Sequence, residues 1–243
     1  MGPTRVLYME ERKGQEPDPC YRREFDAHVI ERGPDFVILD QTAFYAEGGG
    51  QPYDMGVLGW EGGEAKVLRV TKEKGVVRHV VDRLPAAAEV HGIVDWERRY
   101  AHMRMHTSQH LMSGLVYRIY AARTVGNQIH ADRSRIDFQP ANFTPEDLKR
   151  VEDECNRVIA SGADVRIFEE DRVVVENKIE DRALMDLIPQ SVRRLRVIEV
   201  GKADYCPCGG THVKNVREIG PVHVLGKRSK GKETDRVEYE LLS

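Results

Sequence analysis

Two short stretches of the chain concentrate side chains that ligate metals. ADYCPCGGTHV, residues 203–213, gathers Cys206, Cys208 and His212 around a Gly-Gly pair. YAHMRMHTSQHL, residues 100–111, spaces His102, His106 and His110 four apart. On a helix, residues four apart share a face at about 6 Å along the axis, so two such imidazoles can meet at one ion. His102 and His110 are about 12 Å apart on that scale, which leaves the pair 102/106 or the pair 106/110. Cys208 and His212, with three residues between them, add a thiolate and a further imidazole. The resulting set of four donors suits tetrahedral zinc, and the thiolate disfavours magnesium and calcium. Zinc-protease chemistry is disfavoured: the residue after the first histidine of HTSQH is Thr107, where H-E-x-x-H enzymes place a glutamate general base.

The elements that must carry these groups are legible in outline. From Trp96 to Tyr120 the chain lacks proline and sets Met103, Leu111, Leu115 and Ile119 at helical spacing, with Asp95 as N-cap. A second helix is expected over 144–162, with Thr144 as cap, Pro145 at its first position and Gly162 at its end. Strands are read at 36–39, 65–70, 76–82, 91–96 and 135–140, then in VRIFEE, LRVIEV, VHVLGKRS and VEYELL. TAFYAEGGGQPYDMGVL, residues 42–58, separates early strands with three consecutive glycines. It lacks the spacing and the lysine of a phosphate loop. Strands and helices without regular βαβ alternation predict an α+β fold.

The 243 residues, 32% of them charged and with a net charge of −3, describe an ordered chain. No apolar run approaches the roughly 20 residues of a membrane span, and the N-terminus has no apolar signal core. A cytoplasmic protein is the expectation. In a reducing compartment the pair Cys206/Cys208 reads as metal-binding rather than as half of a disulfide framework, while Cys155 reads as a small buried apolar residue on a helix.

HTSQHLMSGLV together with CGGTH resembles the editing domain of alanyl-tRNA synthetases and of the freestanding AlaX-type trans-editing proteins. AFYAEGGGQPYDMG, VDWERRYAHMRMHTSQHL and ADRSRIDF resemble further stretches of that family in the same order, covering the chain from about residue 40 to its end. The resemblance implies His106, His110, Cys208 and His212 as ligands of one zinc ion, excludes His102, and leaves Cys206 as a neighbour. It implies a small β-barrel carrying the glycine-rich motif, set at residues 1–90, followed by an α/β two-layer editing domain at 91–243. No class II aminoacylation core lies in the sequence, which therefore resembles the medium-length form. The activity implied is hydrolysis of the ester joining serine, and in some members glycine, to alanine-specific tRNA.

Thr107 and Gln109, beside the ligands, are candidate catalytic residues that would bond a seryl hydroxyl or the terminal ribose. Gly48, Gly49, Gly50 and Gln51 are candidate substrate-binding residues, because glycines permit close backbone approach and Gln51 offers both donor and acceptor. Arg98, Arg99, Arg193, Arg194, Lys227, Arg228, Lys230 and Lys232 are candidate contacts to tRNA phosphates. Two rival readings are a non-catalytic, zinc-stabilised tRNA-binding module and an editing domain of threonyl-tRNA synthetase type. The glycine-rich segment argues against the second.

Overall fold

The computed structural model describes residues 2–11, 18–179, 185 and 188–242. Residues 169–186, EEDRVVVENKIEDRALMD, are rich in acids, and those from 180 onward lie outside the described residues, Met185 excepted. The chain divides into two compact units, Met1–Tyr100 and Ala101–Ser243.

In the first unit, β1 (Arg5–Val6) and β4 (Gln41–Thr42) form a small parallel pair. The strands β2 (Glu24–Arg32), β3 (Phe36–Leu39), β5 (Gly56–Trp60), β6 (Gly63–Glu73), β7 (Val76–Val81) and β8 (Glu89–Val94) close a barrel. Their order around it is β2-β3-β7-β6-β5-β8. Closure leaves no sheet edge, and alternate residues point inward. Phe25, Val37, Leu39, Phe44, Leu58, Val67, Val77 and Val90 fill the interior. Residue 90, the expected end of the barrel region, falls inside β8, which pairs with both β2 and β5.

The glycine-rich segment forms a tight turn on this unit. Gly48 and Gln51 exchange two backbone hydrogen bonds, of 2.9 and 3.2 Å. Between them Gly49 and Gly50 have φ of 57° and 87°. A two-residue turn with both central φ values positive is the turn that glycine favours most. The Tyr45 hydroxyl donates to the Gly48 carbonyl at 2.8 Å. Gly48 to Gly50 are exposed and Gln51 is buried.

Behind the turn lies a buried ion pair. The Asp54 carboxylate accepts the Tyr45 backbone N–H at 2.7 Å and Arg99 Nε at 2.8 Å. Arg99 also donates to the carbonyls of Cys20 at 3.0 Å and Ala43 at 2.5 Å. Both side chains of the pair are 0% exposed. Arg99 is therefore removed from the expected phosphate contacts. It lies in the first turn of its helix and points inward, where the charge is kept only because carboxylate and carbonyls surround it.

That helix, α1 (Trp96–Tyr120), begins where the sequence places it, with Asp95 Oδ1 accepting the Arg98 N–H at 3.1 Å. From Ala101 on it belongs to the second unit. The strands of that unit form two antiparallel sheets. One is ordered β14 (Val222–Gly231), β15 (Thr234–Leu241), β10 (Arg133–Gln139), β9 (Arg123–Gln128). The other is ordered β11 (Val165–Asp171), β12 (Arg194–Val200), β13 (Asp204–Pro207). Helix α2 (Pro145–Ser161) starts at a Thr144/Asp147 capping box and ends at Gly162 with φ 71°. Asn156 on α2 holds both backbone groups of Val222, at 2.8 and 2.9 Å, and so fixes α2 to β14. Cys155 is fully buried. Helix α3 (Arg172–Ile179) packs Val175 and Ile179 on Leu195 and Val197 of β12.

The chain is thus α+β: a closed barrel first, then helices over antiparallel sheets. No helix among the described residues is long and apolar enough to cross a membrane.

Removing one partner of a buried ion pair leaves the other charge uncompensated, at a cost of about 3–5 kcal/mol. Arg99→Met is therefore expected to lower stability by that order in urea unfolding, and Arg99→Met with Asp54→Leu to recover much of it. A loss under about 1 kcal/mol in the single variant would contradict the pairing.

Candidate metal centre

Helix α1 is buried almost all round between His102 and Val116, including the polar run His106 to His110. A helix with no solvent face needs polar partners for its polar residues. The converging donors are His106 and His110 of α1, with Cys208 and His212 of the loop after β13. Their ligand atoms all lie within 4.8 Å of one another. Cys208 Sγ is 3.2 Å from His212 Nε2 and 3.6 Å from His106 Nε2. Bonds of about 2.0–2.3 Å in a tetrahedron put neighbouring donors roughly 3.5 Å apart, so an ion that takes nitrogen and sulfur fits between these atoms. His102 is buried but is not one of the four.

The far nitrogens of two of the three imidazoles are held by the protein. His110 Nδ1 is 2.8 Å from Asp204 Oδ2, and both side chains are 8% exposed. A carboxylate at that nitrogen keeps the proton there and turns Nε2 toward the cluster. His212 Nδ1 is 3.3 Å from Thr107 Oγ1. The Thr107 hydroxyl gives its one proton to the Met103 carbonyl at 2.8 Å and accepts the Val213 N–H at 3.2 Å. The proton between Thr107 and His212 therefore belongs to the imidazole, and His212 Nε2 keeps its lone pair.

Within the cluster the charged form is favoured at Cys208 and His110 and disfavoured at His106 and His212. Burial opposes ionisation of Cys208, but His106, His212 and His110 around it hold the thiol well below its ordinary range. Burial holds His212 well below, and His106 below, the usual imidazole value. Against the cost of burial, Cys208 and Asp204 push His110 up to about 10. The Gly210 N–H donates to Cys208 Sγ at 3.3 Å. Neither Gly209 nor Gly210 has positive φ.

Three positioning features have no local sequence signature. The first is Asp204, 94 residues from its partner His110. The second is Gly114, one turn after His110. A methyl group there would overlap the Ala203 carbonyl, so glycine lets residue 203 lie against α1 and delivers Asp204 to His110. A glycine inside a helix costs about 1 kcal/mol against alanine, and this close approach is a physical reason to keep it. The third is Arg196 on β12, 9% exposed, which grips Cys208 from both sides. Its carbonyl accepts the Cys208 N–H at 3.0 Å, and its Nη1 donates to the Cys208 carbonyl at 2.7 Å.

The other expected residues fall as follows. Gln109 is 5% exposed, and its amide donates to Ser113 Oγ at 2.8 Å, which also takes the Thr124 hydroxyl at 2.7 Å. Cys206 stands beside the cluster, its Sγ 3.5 Å from the Pro207 carbonyl. With His110 and Asp204 it makes a second group whose ligand atoms lie within 4.8 Å. Gly48 to Gln51 belong to the first unit and His106, His110, Cys208 and His212 to the second. Among the expected phosphate contacts, Lys227 Nζ is bound to Asp235 at 2.8 Å and Arg194 to Glu169 at 3.1 Å.

Comparison with known proteins places these features in context. The family described as class II (A) tRNA synthetases matches residues 9–98. The one described as the threonyl and alanyl tRNA synthetase second additional domain matches residues 195–238. The chain is 36% identical to the alanyl-tRNA editing protein AlaX-M of Methanosarcina barkeri, over 92% of this chain and 96% of that protein. It is 34% identical to the AlaX-L editing protein of Pyrococcus horikoshii, over 91% of this chain and 56% of that one. The alanine–tRNA ligase of Thermococcus kodakarensis is 39% identical over 91% of this chain, which corresponds to 24% of the ligase.

Cys208→Ala is expected to lose bound metal and Cys206→Ala to retain it, read by native mass spectrometry. Asp204→Ala is expected to weaken metal about 10- to 100-fold in competition with a chromogenic chelator, the usual cost of losing a carboxylate behind a ligating histidine. Metal lost through the Cys206 change, or unchanged affinity in Asp204→Ala, would overturn this donor assignment.

Proposed function

The chain belongs to the AlaX-M family of alanyl-tRNA editing proteins, and from that membership we propose that it is a trans-editing hydrolase acting on mischarged alanine-specific tRNA. The substrate proposed is the seryl ester, with the glycyl ester second, and the cofactor is one zinc ion per chain held by His106, His110, Cys208 and His212. The observation that carries the reading is the convergence of those four donors on a chain similar along nearly its whole length to an AlaX-M protein. One thiolate and three imidazoles form a donor set that zinc takes readily. Bound there, zinc supplies Lewis-acid polarisation and a fixed point for orienting an aminoacyl group.

The chain's own residues divide the remaining work. Asp204 and Thr107 keep protons on His110 Nδ1 and His212 Nδ1, so both rings present Nε2. With its own proton committed to Met103, Thr107 acts through His212. Gln109, tied to Ser113, is the side chain proposed to meet the seryl hydroxyl or the terminal ribose. A site that must satisfy a hydroxyl rejects the analogue without one, which is the physical basis for clearing serine and sparing alanine. The turn at Gly48, Gly49, Gly50 and Gln51 is proposed to take part in that choice through its exposed backbone.

Purified protein is expected to deacylate Ser-tRNA specific for alanine far faster than the correctly charged Ala-tRNA, and to lose this activity in Cys208→Ala. Binding of the tRNA without hydrolysis would instead assign a zinc-stabilised binding module. Gly49→Ala forces a side chain into φ of 57°, and is expected to change the ratio of Ser- to Ala-tRNA hydrolysis. An unchanged ratio in folded, metal-loaded variant would remove the glycine turn from substrate selection.

A further inference from the structure

The second unit contains a cavity of about 400 Å³, within the ~300–1,000 Å³ range of small-ligand sites. Its walls include Tyr117, Arg118, Lys178, Lys202, Asp204 and Tyr205. Arg118 and Tyr117 come from α1, Lys178 from α3, and the others from the turn into β13 and its start. Three cations and two aromatic rings on one cavity form a chemical combination that recognises single-stranded nucleic acid: cations for phosphate, ring faces for bases. Duplex RNA would not enter a space of this size.

Two of the three cations have fixed positions, Arg118 and Lys178. Arg118 Nη1 donates to the Lys202 carbonyl at 2.9 Å, which fixes the guanidinium at the wall. Arginine has five N–H donors, and neither Arg118 nor Lys202 has an ion pair among the described residues. Lys178 Nζ lies 5.1 Å from the centre of the Tyr205 ring and 3.3 Å from Glu170. The two acids on the wall are already engaged: Glu199 with Arg166 at 3.4 Å, and Asp204 with His110 at 2.8 Å. The balance that faces a ligand is therefore positive. Asp204 is also the link to the metal centre, since the carboxylate that lines this cavity orients a metal-ligand imidazole.

We propose that this cavity binds a nucleotide of the single-stranded end of the RNA substrate, its phosphate between Arg118, Lys202 and Lys178 and its base against Tyr205. The inference rests on the reading of the protein as an RNA-editing hydrolase and adds to it where the strand beside the reacting ester is held. The side chains of His106, His110, Cys208 and His212 are taken up with one another, whereas the cavity offers Arg118 and Lys202 without ion partners among the described residues and Lys178 beside them.

The test uses the metal-loaded full chain and two labelled RNA hairpins, one with a single-stranded 3′ tail and one blunt, in fluorescence anisotropy across a salt series. Wild type is expected to prefer the tailed hairpin. Arg118→Ala with Lys202→Ala is expected to lose that preference and to lower the salt slope by about 1.4, the value for two contacts to a single strand. Tyr205→Ala is expected to weaken the tailed hairpin about tenfold, and Tyr205→Phe to keep it. Unchanged affinity and slope in the double variant, with metal content intact, would overturn the proposal. Full affinity in Tyr205→Ala would reduce the cavity to an anion site and also overturn it. The readout separates the two readings: cavity-dependent binding without deacylation would sink the hydrolase and keep the cavity. Deacylation with an unchanged KM in the double variant would do the reverse.

Discussion

The second unit depends on one constraint, which is that three imidazoles and a thiolate must be buried at a single point. Each of these groups loses hydration when buried, and the loss is tolerable only where every polar atom has a partner. For two of the three imidazoles the protein meets the condition by giving each ring nitrogen a separate task. Asp204 and Thr107 take the Nδ1 side of His110 and His212, and the Nε2 side is left for the centre. A ring held in this way has one tautomer and one orientation, so the cost of ordering the donors is met in folding rather than at metal binding.

The surrounding architecture follows from that requirement. Helix α1 is buried on nearly all sides around His106–His110, because the polar residues it carries are partnered from within. Gly114 brings the turn before β13 into contact with the helix, and that contact supplies Asp204. Arg196 extends the β12–β13 ladder by one rung made partly from its side chain, and the rung ends on Cys208. Four donors from two segments, about a hundred residues apart in sequence, thus acquire positions set by backbone geometry.

What could be read from the sequence was what is encoded locally. The start of α1 and both ends of α2 are set by Asp95, Thr144, Pro145 and Gly162, and each of these acts within one turn of helix. The spacing of four marked the histidines and the Cys208/His212 loop as candidate donors and left the pairs 102/106 and 106/110 open; the family resemblance pointed to His106 and His110, whose side chains converge with Cys208 and His212 in the fold. Asp204 was not, since its role exists only through contact with a residue far away in the chain. Arg99 read as surface because arginine usually is, and only the carboxylate of Asp54 and two carbonyls make its burial possible. Helix α3 was missed for another reason: Val173, Val174 and Val175 carry strand propensity, which packing on β12 overrides. The glycine-rich segment was read as substrate-binding; in the fold it forms a tight turn, whose positive φ values account for Gly49 and Gly50.

X-ray absorption at the zinc edge of the purified protein tests the centre most directly. One sulfur at about 2.3 Å and three nitrogens at about 2.0–2.1 Å are expected, the shell made by Cys208 with His106, His110 and His212. Two sulfurs in the shell, bringing in Cys206, or a shell with no sulfur at all, would contradict it.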